Sequence, residues 1–404
     1  LAVTKTIQLN SKNTIALQNF IQKNYHKNLA QLAFKKTLVE GYDNRFVLNQ
    51  LYGKQKAKNK LPYLFNNDQV LYPAKVSIEQ SSSEKTAIWK ANLVEGATLL
   101  DMTGGFGVDT YHFSKRIKQV TYLEKNTELF DIVAHNYAVL NADNITAVNC
   151  DSLPFLENTE QKFDWIYLDP ARRDDAGNRK IGLAGYFPNL LDIQPLLFQK
   201  TEKVLVKVSP MLDIQQAIQQ LGTVQKVIVL AVQNEVKELL LILTKAGVTV
   251  GQAPTFECVD LRKDGTVWNY QSSGDKDLSN LTYSLPQTYI YEPNAAILKA
   301  GLFKEIAIDF KLNKLHPNTH LYTTEQLVVD FPGRVFKLKG GENFNKKAIA
   351  PYLDNKKANI TTRNFPYAVA QIKKKLGVKD GGNVYLFAIT LQEDKLAILV
   401  CVKV

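Results

Sequence analysis

Cysteine is scarce in this chain. Cys150, Cys258 and Cys401 are the only three in 404 residues, and their spacing suits no zinc ribbon, redox pair or disulfide framework. Histidine is nearly as sparse: His26, His112, His135, His316 and His320 are dispersed. His316 and His320 have the spacing of two ligands on one helix face, but Pro317 and Asn318 between them read as a loop, so no metal centre is expected. Long apolar runs are missing as well. No stretch approaches the roughly 20 residues a membrane helix requires, and Leu1-Ala-Val-Thr-Lys5 lacks a signal-peptide core. A cytoplasmic protein is expected.

Acid is what the two flanks lack. Residues 1–78 hold 12 Lys and Arg against 3 Asp and Glu, and residues 331–404 hold 14 against 5, a balance of +9 in each. The middle, 79–330, holds 24 against 31, a balance of −7. Basic segments on either side of an acidic centre are the electrostatic footprint of a polyanion partner. Solvated lysines on helix faces would give the same counts.

At the centre lies Thr98-Leu-Leu-Asp-Met-Thr-Gly-Gly-Phe-Gly-Val-Asp109. An apolar strand runs into Asp101, then a glycine turn, then a helix from about Val108. Gly104, Gly105 and Gly107 allow a tight turn and leave no Cβ to obstruct a nucleotide, whose charge the helix N-terminus would favour. Three later apolar runs also end in acids: Glu124, Asp151 and Asp169. In a parallel α/β sheet these ends share one edge, the edge where ligands bind. Glu124 stands about where a ribose-binding acid follows such a loop. Asp151 is placed to accept from an adenine amine, and Asp169-Pro170 lies where a reacting group would sit. Each acid taken singly also suits a helix N-cap.

A nicotinamide-binding loop would continue Gly-x-Gly-x-x-Gly/Ala, yet Thr110 occupies the third position after Gly107. Further on, Lys203-Val-Leu-Val-Lys-Val208 reads as a fifth buried strand. Lys226–Val232 and Glu238–Leu243 come next, joined by a connection too short for a crossover, and so form an antiparallel pair. Five parallel strands closed by such a pair resemble the class I S-adenosylmethionine-dependent methyltransferase fold over about residues 80 to 245, and an NAD enzyme is disfavoured.

The resemblance implies S-adenosylmethionine as cofactor. Asp101 and the Gly104-Gly105-Phe106-Gly107 loop would hold its methionine part, Glu124 its ribose and Asp151 its adenine. Thr103, Asp109, Lys125 and Ser152 stand beside them as further cofactor-binding candidates. Asp169-Pro170 matches the start of the family's target-site motif, which often continues with an aromatic residue; here Ala171-Arg172 comes instead. Asp169, Pro170 and Arg172 are the catalytic candidates, and Arg172 with Arg173 would grip a phosphate or pair with Asp174 or Asp175. Glu79–Thr86, with Ser82 and Ser83, is similar to a segment that some RNA methyltransferases lay over the cofactor carboxylate. Ser83 would equally cap the helix through Trp89.

The expected organisation is a helical N-terminal region (1–78), a Rossmann-like seven-stranded methyltransferase core (79–250), a hairpin with a small ferredoxin-like α+β unit (251–330), and a basic C-terminal domain (331–404). The tail's order, with Phe331-Pro-Gly-Arg334 and Asp380-Gly-Gly382, resembles the THUMP-like domain of bacterial RNA methyltransferases. The function implied is methylation of RNA, tRNA or rRNA, at a base nitrogen that Asp169 orients. A carbon target would need an activating thiolate, and no cysteine lies at the fourth or fifth strand end. The alternatives are a protein or small-molecule methyltransferase, and a nonenzymatic RNA-binding protein retaining a cofactor pocket.

Overall fold

The computed structural model describes residues 11–171, 182–247 and 253–404. The chain divides into two compact units, Leu1–Val208 with Gln215–Gln225 and Leu240–Thr249, and Ser209–Ile214 with Lys226–Leu239 and Val250–Val404.

In the first unit the helices Ser11–Asn24, Leu29–Ala33 and Asn44–Lys60 bury Leu17, Ile21, Leu32, Val47 and Leu51 in a small core of their own. Paired amide bonds tie down the extended segment around Leu71 and Tyr72. The Gln50 side chain accepts from Tyr72 N–H at 2.8 Å and donates to Tyr72 C=O at 2.7 Å. Asn136 grips Leu71 in the same two ways, each at 2.8 Å. An amide side chain is the one neutral group that offers a donor and an acceptor side by side, so it completes a strand-like backbone segment that no sheet covers.

The sheet begins with β1 (Gly96–Asp101), β2 (Ile117–Leu123), β3 (Ile145–Val148), β4 (Trp165–Leu168) and β5 (Lys203–Val208), separated by helices. The pairs β1–β2, β1–β4, β2–β3 and β4–β5 are all parallel. β6 (Val224–Val232) and β7 (Glu235–Thr244) come after them, joined at Gln233-Asn234, both with positive φ. A two-residue turn with both residues left-handed matches the twist of a hairpin. The buried, β-branched runs explain why these segments form strands covered on both faces.

Two more strands, β8 (Thr255–Leu261) and β9 (Val267–Ser273), extend the sheet to nine, in the order β3-β2-β1-β4-β5-β7-β6-β8-β9. The hairpin that the sequence assigns to the small domain after the core is thus part of this sheet. In the second unit β8 pairs in parallel with β6 from Lys226↔Thr255 to Val232↔Leu261. Seven paired positions leave the hairpin a fully bonded partner.

The second unit also holds β10 (Tyr289–Pro293), β11 (Asn313–Lys314), β12 (Tyr322–Thr324), β13 (Gly333–Glu342), β14 (Asn359–Arg363), β15 (Val384–Thr390) and β16 (Leu396–Lys403), in the order β11-β12-β10-β13-β16-β15-β14. One sheet therefore serves both small C-terminal pieces. Its core includes Ile290, Phe336, Phe387 and Leu399. Buried Glu292 accepts from Arg334 at 2.6 Å and from Arg363 at 2.8 Å.

Candidate active site on the carboxyl edge of the first sheet

Register decides which acids meet. Asp101 lies level with Tyr122 of β2 and with Tyr167 of β4, and Leu123 lies level with Val148 of β3. Glu124 and Asp169 are each the first residue past their strands, and Asp151 is three past β3. The four acids therefore leave the same edge of the sheet.

Asp101 is buried, with 1% of its surface exposed. It accepts from Thr103 N–H at 3.0 Å and from the Thr110 hydroxyl at 2.5 Å. Burial pushes its carboxyl up to about 7, although these two hydrogen bonds pull the other way. Asp109 and Asp169 add repulsion. Thr103 also joins strands: its hydroxyl accepts Asp169 N–H at 2.6 Å.

The loop after β1 is shaped by two tyrosines beneath it. Tyr122 OH donates to Gly105 C=O at 2.6 Å, and Tyr137 OH donates to Gly107 C=O at 3.1 Å. A Cβ on Gly104 would stand 2.1 Å from the Tyr122 ring, and one on Gly107 would stand 2.3 Å from Tyr137 Oη. Gly107 also adopts φ +72. At Gly105 only Thr103 C=O lies within reach, at 3.7 Å. Gly104 and Gly107 are thus required by the packing below, while Gly105, at φ +53, has open space around its would-be Cβ.

Glu124 closes the loop by accepting Gly105 N–H at 3.1 Å and Asn126 N–H at 2.7 Å. Desolvation raises its pKa, and these bonds oppose the rise. Lys125 is exposed, with its ammonium 5.0 Å from the centre of the Phe187 ring. Asp151 is exposed and caps the helix Ser152–Asn158, accepting Leu153 N–H at 3.1 Å. Ser152 is the first residue of that helix. Ser83 likewise caps the helix Glu84–Ala91, accepting Thr86 N–H at 3.3 Å.

Ser82 leads into an ionic network that the sequence did not disclose. Its hydroxyl donates to Asp109 at 2.8 Å and accepts from Lys90 at 2.6 Å. Lys90, fully buried, also reaches Asp109 at 2.9 Å, and Tyr167 OH donates to Asp109 at 2.8 Å. Burial alone would raise the Asp109 carboxyl, but Lys90 and Lys207 outweigh it and hold the group down at about 2. Asp109 is thus held by Ser82, Lys90 and Tyr167 together. Lys207, next to last in β5, donates to Asp169 at 2.5 Å and to Ser82 at 3.4 Å. Asp169 keeps 35% of its side chain exposed. Desolvation raises its pKa, and Lys207 works against that rise. Pro170 is buried, and Ala171 exchanges backbone hydrogen bonds with Phe187 at 3.0 and 2.8 Å. Arg172, Arg173, Asp174 and Asp175 lie outside the described residues.

The only sequence signal for Lys207 was a lysine interrupting the apolar run Lys203–Val208, and Lys90 gave none. Among the described residues no group of three or more His, Cys, Asp or Glu could hold a metal. No described helix is long and apolar enough to cross a membrane.

The donor set suits S-adenosylmethionine. Asp101 is a buried acid without a cationic partner among its hydrogen bonds, Glu124 is a half-buried acid beside an open glycine, and no Cβ obstructs the approach at Gly105. Parallel β1–β5 followed by the β6–β7 hairpin, with acids along the carboxyl edge, define the class I methyltransferase fold.

Comparison with known proteins places the rest of the chain. Residues 83–182 match the family described as conserved hypothetical protein 95, residues 289–332 match a ferredoxin-like domain, and residues 333–403 match a THUMP-like domain. The chain is similar over 98% of its length to the crystal structure of a candidate methyltransferase from Porphyromonas gingivalis W83, covering 99% of that chain with a TM-score of 0.87 and 28% identity. Over 81 residues it is 33% identical to ribosomal RNA small subunit methyltransferase J of Francisella tularensis subsp. novicida strain U112, covering 18% of this chain and 34% of that protein. The same figures hold for its counterpart in subsp. tularensis strain SCHU S4. The chain thus spans about a third of the length of these curated relatives.

Proposed function

We propose that the chain is an S-adenosylmethionine-dependent methyltransferase acting on RNA, and that the accepting atom is a base nitrogen. The observation that carries this reading is the meeting, at one sheet edge, of buried Asp101, the open Gly105 and Glu124 with an Asp169 held by Lys207. Asp101 would take the cofactor's ammonium, Glu124 its ribose hydroxyls, and Asp151, through the oxygen its cap leaves over, the adenine amine. The bound cofactor supplies an electrophilic methyl group.

The chain's own residues align the target and exclude water. Lys207 occupies Oδ2 of Asp169, which leaves Oδ1 to accept an N–H of the target base and turn its lone pair toward the methyl. The lysine's charge favours the ionised carboxylate, against the desolvation that raises its pKa. A nitrogen target also fits the state of the Cys150 thiol beside Asp151. Burial and Asp151 push Cys150 upward, away from the thiolate that attack through a ring carbon would require.

RNA as the substrate is supported by the basic flanks, the THUMP-like domain and the name of the Francisella relative, which favours ribosomal RNA. Calorimetry tests the cofactor half. The expected result is one site for S-adenosylhomocysteine on the wild type, no binding of NAD, and a loss of about 1–3 kcal/mol in Glu124→Ala, the cost of removing a half-buried acceptor. Unchanged affinity in that variant removes Glu124 from the site.

A further inference from the structure

The Phe331-Pro-Gly-Arg334 segment and the β8–β9 hairpin have no part in the site above, yet within the second unit they line one cavity of about 730 Å³. That is the size of a site for a small organic ligand. Four of its lining residues are cationic (Arg262, Lys263, Arg334 and Lys403) and two are acidic (Asp260 and Asp330). These charges are not equally available. Arg334 is committed to Glu292, and Asp260, 1% exposed, accepts Asn234 N–H at 2.8 Å. Lys263 and Lys403 are exposed and make no ion pair among the described residues. Asp330, the remaining acid, is exposed.

A flat surface stands beside these charges. The Arg262 guanidinium lies 3.9 Å from the centre of the Trp268 ring. An arginine lying over a tryptophan ring offers the kind of surface on which unpaired bases of RNA lie.

We propose that this cavity holds one nucleotide of a single-stranded segment of the RNA substrate. The base stacks against the Arg262–Trp268 pair, and Lys263 and Lys403 draw the phosphates on either side. The site rests on RNA being the substrate class, and would anchor the strand at a point other than the atom being methylated.

Fluorescence anisotropy of a labelled single-stranded RNA decamer on the full chain tests it, with S-adenosylhomocysteine calorimetry on each variant as a separate readout. Lys263→Glu with Lys403→Glu, both at exposed positions, should weaken RNA binding at least tenfold and flatten its salt dependence. Trp268→Ala should weaken it several-fold at all salt concentrations. Affinity for S-adenosylhomocysteine should stay within twofold in both. RNA affinity unchanged in the double variant overturns the site while leaving the methyl-transfer reading intact. Polyglutamate competing as well as RNA overturns it too, by showing a generic cationic surface. A wild-type chain that binds no RNA defeats the RNA reading, and this site with it.

Discussion

Replacing Asp101 by Asn should strengthen the fold and weaken the function at once. The carboxyl is buried at 1% exposure and sits at about 7 rather than the usual 3.8. An acid whose folded pKa is raised favours folding while it is protonated. That contribution is complete below about pH 4 and is lost as pH rises from there through about 7. Three units at 1.36 kcal/mol each set an upper bound of about 4 kcal/mol on the penalty carried at pH 8. Asn keeps an acceptor for Thr103 N–H and turns a donor toward the Thr110 oxygen, so the local hydrogen bonds survive. Thermal unfolding of Asp101→Asn should therefore exceed that of wild type at pH 8, with the gap closing toward pH 5. Affinity for S-adenosylhomocysteine should respond oppositely. In wild type it should rise on the order of tenfold from pH 5.5 to 7 as Asp101 ionises toward the ligand's ammonium, which stays charged in that window. In Asp101→Asn the rise should vanish. A variant less stable than wild type at pH 8, or one with an unaltered binding profile, would refute the reasoning.

Two further perturbations probe the parts around it. Gly104→Ala places a methyl 2.1 Å from the Tyr122 ring, an overpacking that should cost about 1–3 kcal/mol; denaturant unfolding should show the loss, and adding Tyr122→Leu should recover part of it. Lys207→Met removes the cation that opposes desolvation of Asp169, so the acidic limb of the pH–rate profile should move to higher pH, and a limb that stays in place would detach Lys207 from turnover.

The meeting of the acids in the candidate site is legible because its signals are local. Asp101, Glu124 and Asp169 each end an apolar run, and a parallel sheet brings such ends together whatever lies between. The glycines were legible as a turn, but not their reason: Tyr122 and Tyr137 press from β2 and from the helix Thr127–Val139, distant in sequence from the loop. The ionic supports were hidden for the same cause. Lys90 meets Asp109 across 19 positions and Lys207 meets Asp169 across 38, and nothing periodic marks either pair. Ser83 and Asp151 show the converse, since both use their side chains as helix caps, a role their sequences also allow. The β8–β9 hairpin was visible as a hairpin, yet its place was not, because the parallel pairing of β8 with β6 spans 29 residues from Lys226 to Thr255 and leaves no trace in local composition.

The measurement that bears most directly on the account is methyl transfer by Asp169→Ala. The full chain would be incubated with methyl-tritiated S-adenosylmethionine and total RNA from a strain lacking the gene, while calorimetry tracks S-adenosylhomocysteine on the same preparations. In the proposed role Asp169 orients the target and acts chiefly in the transition state, so its loss should appear in turnover far more than in binding. Label entering RNA with the wild type, and disappearing in a variant that still binds S-adenosylhomocysteine, is the result expected. Label that persists in Asp169→Ala, or wild-type protein that leaves RNA unlabelled, would contradict the account.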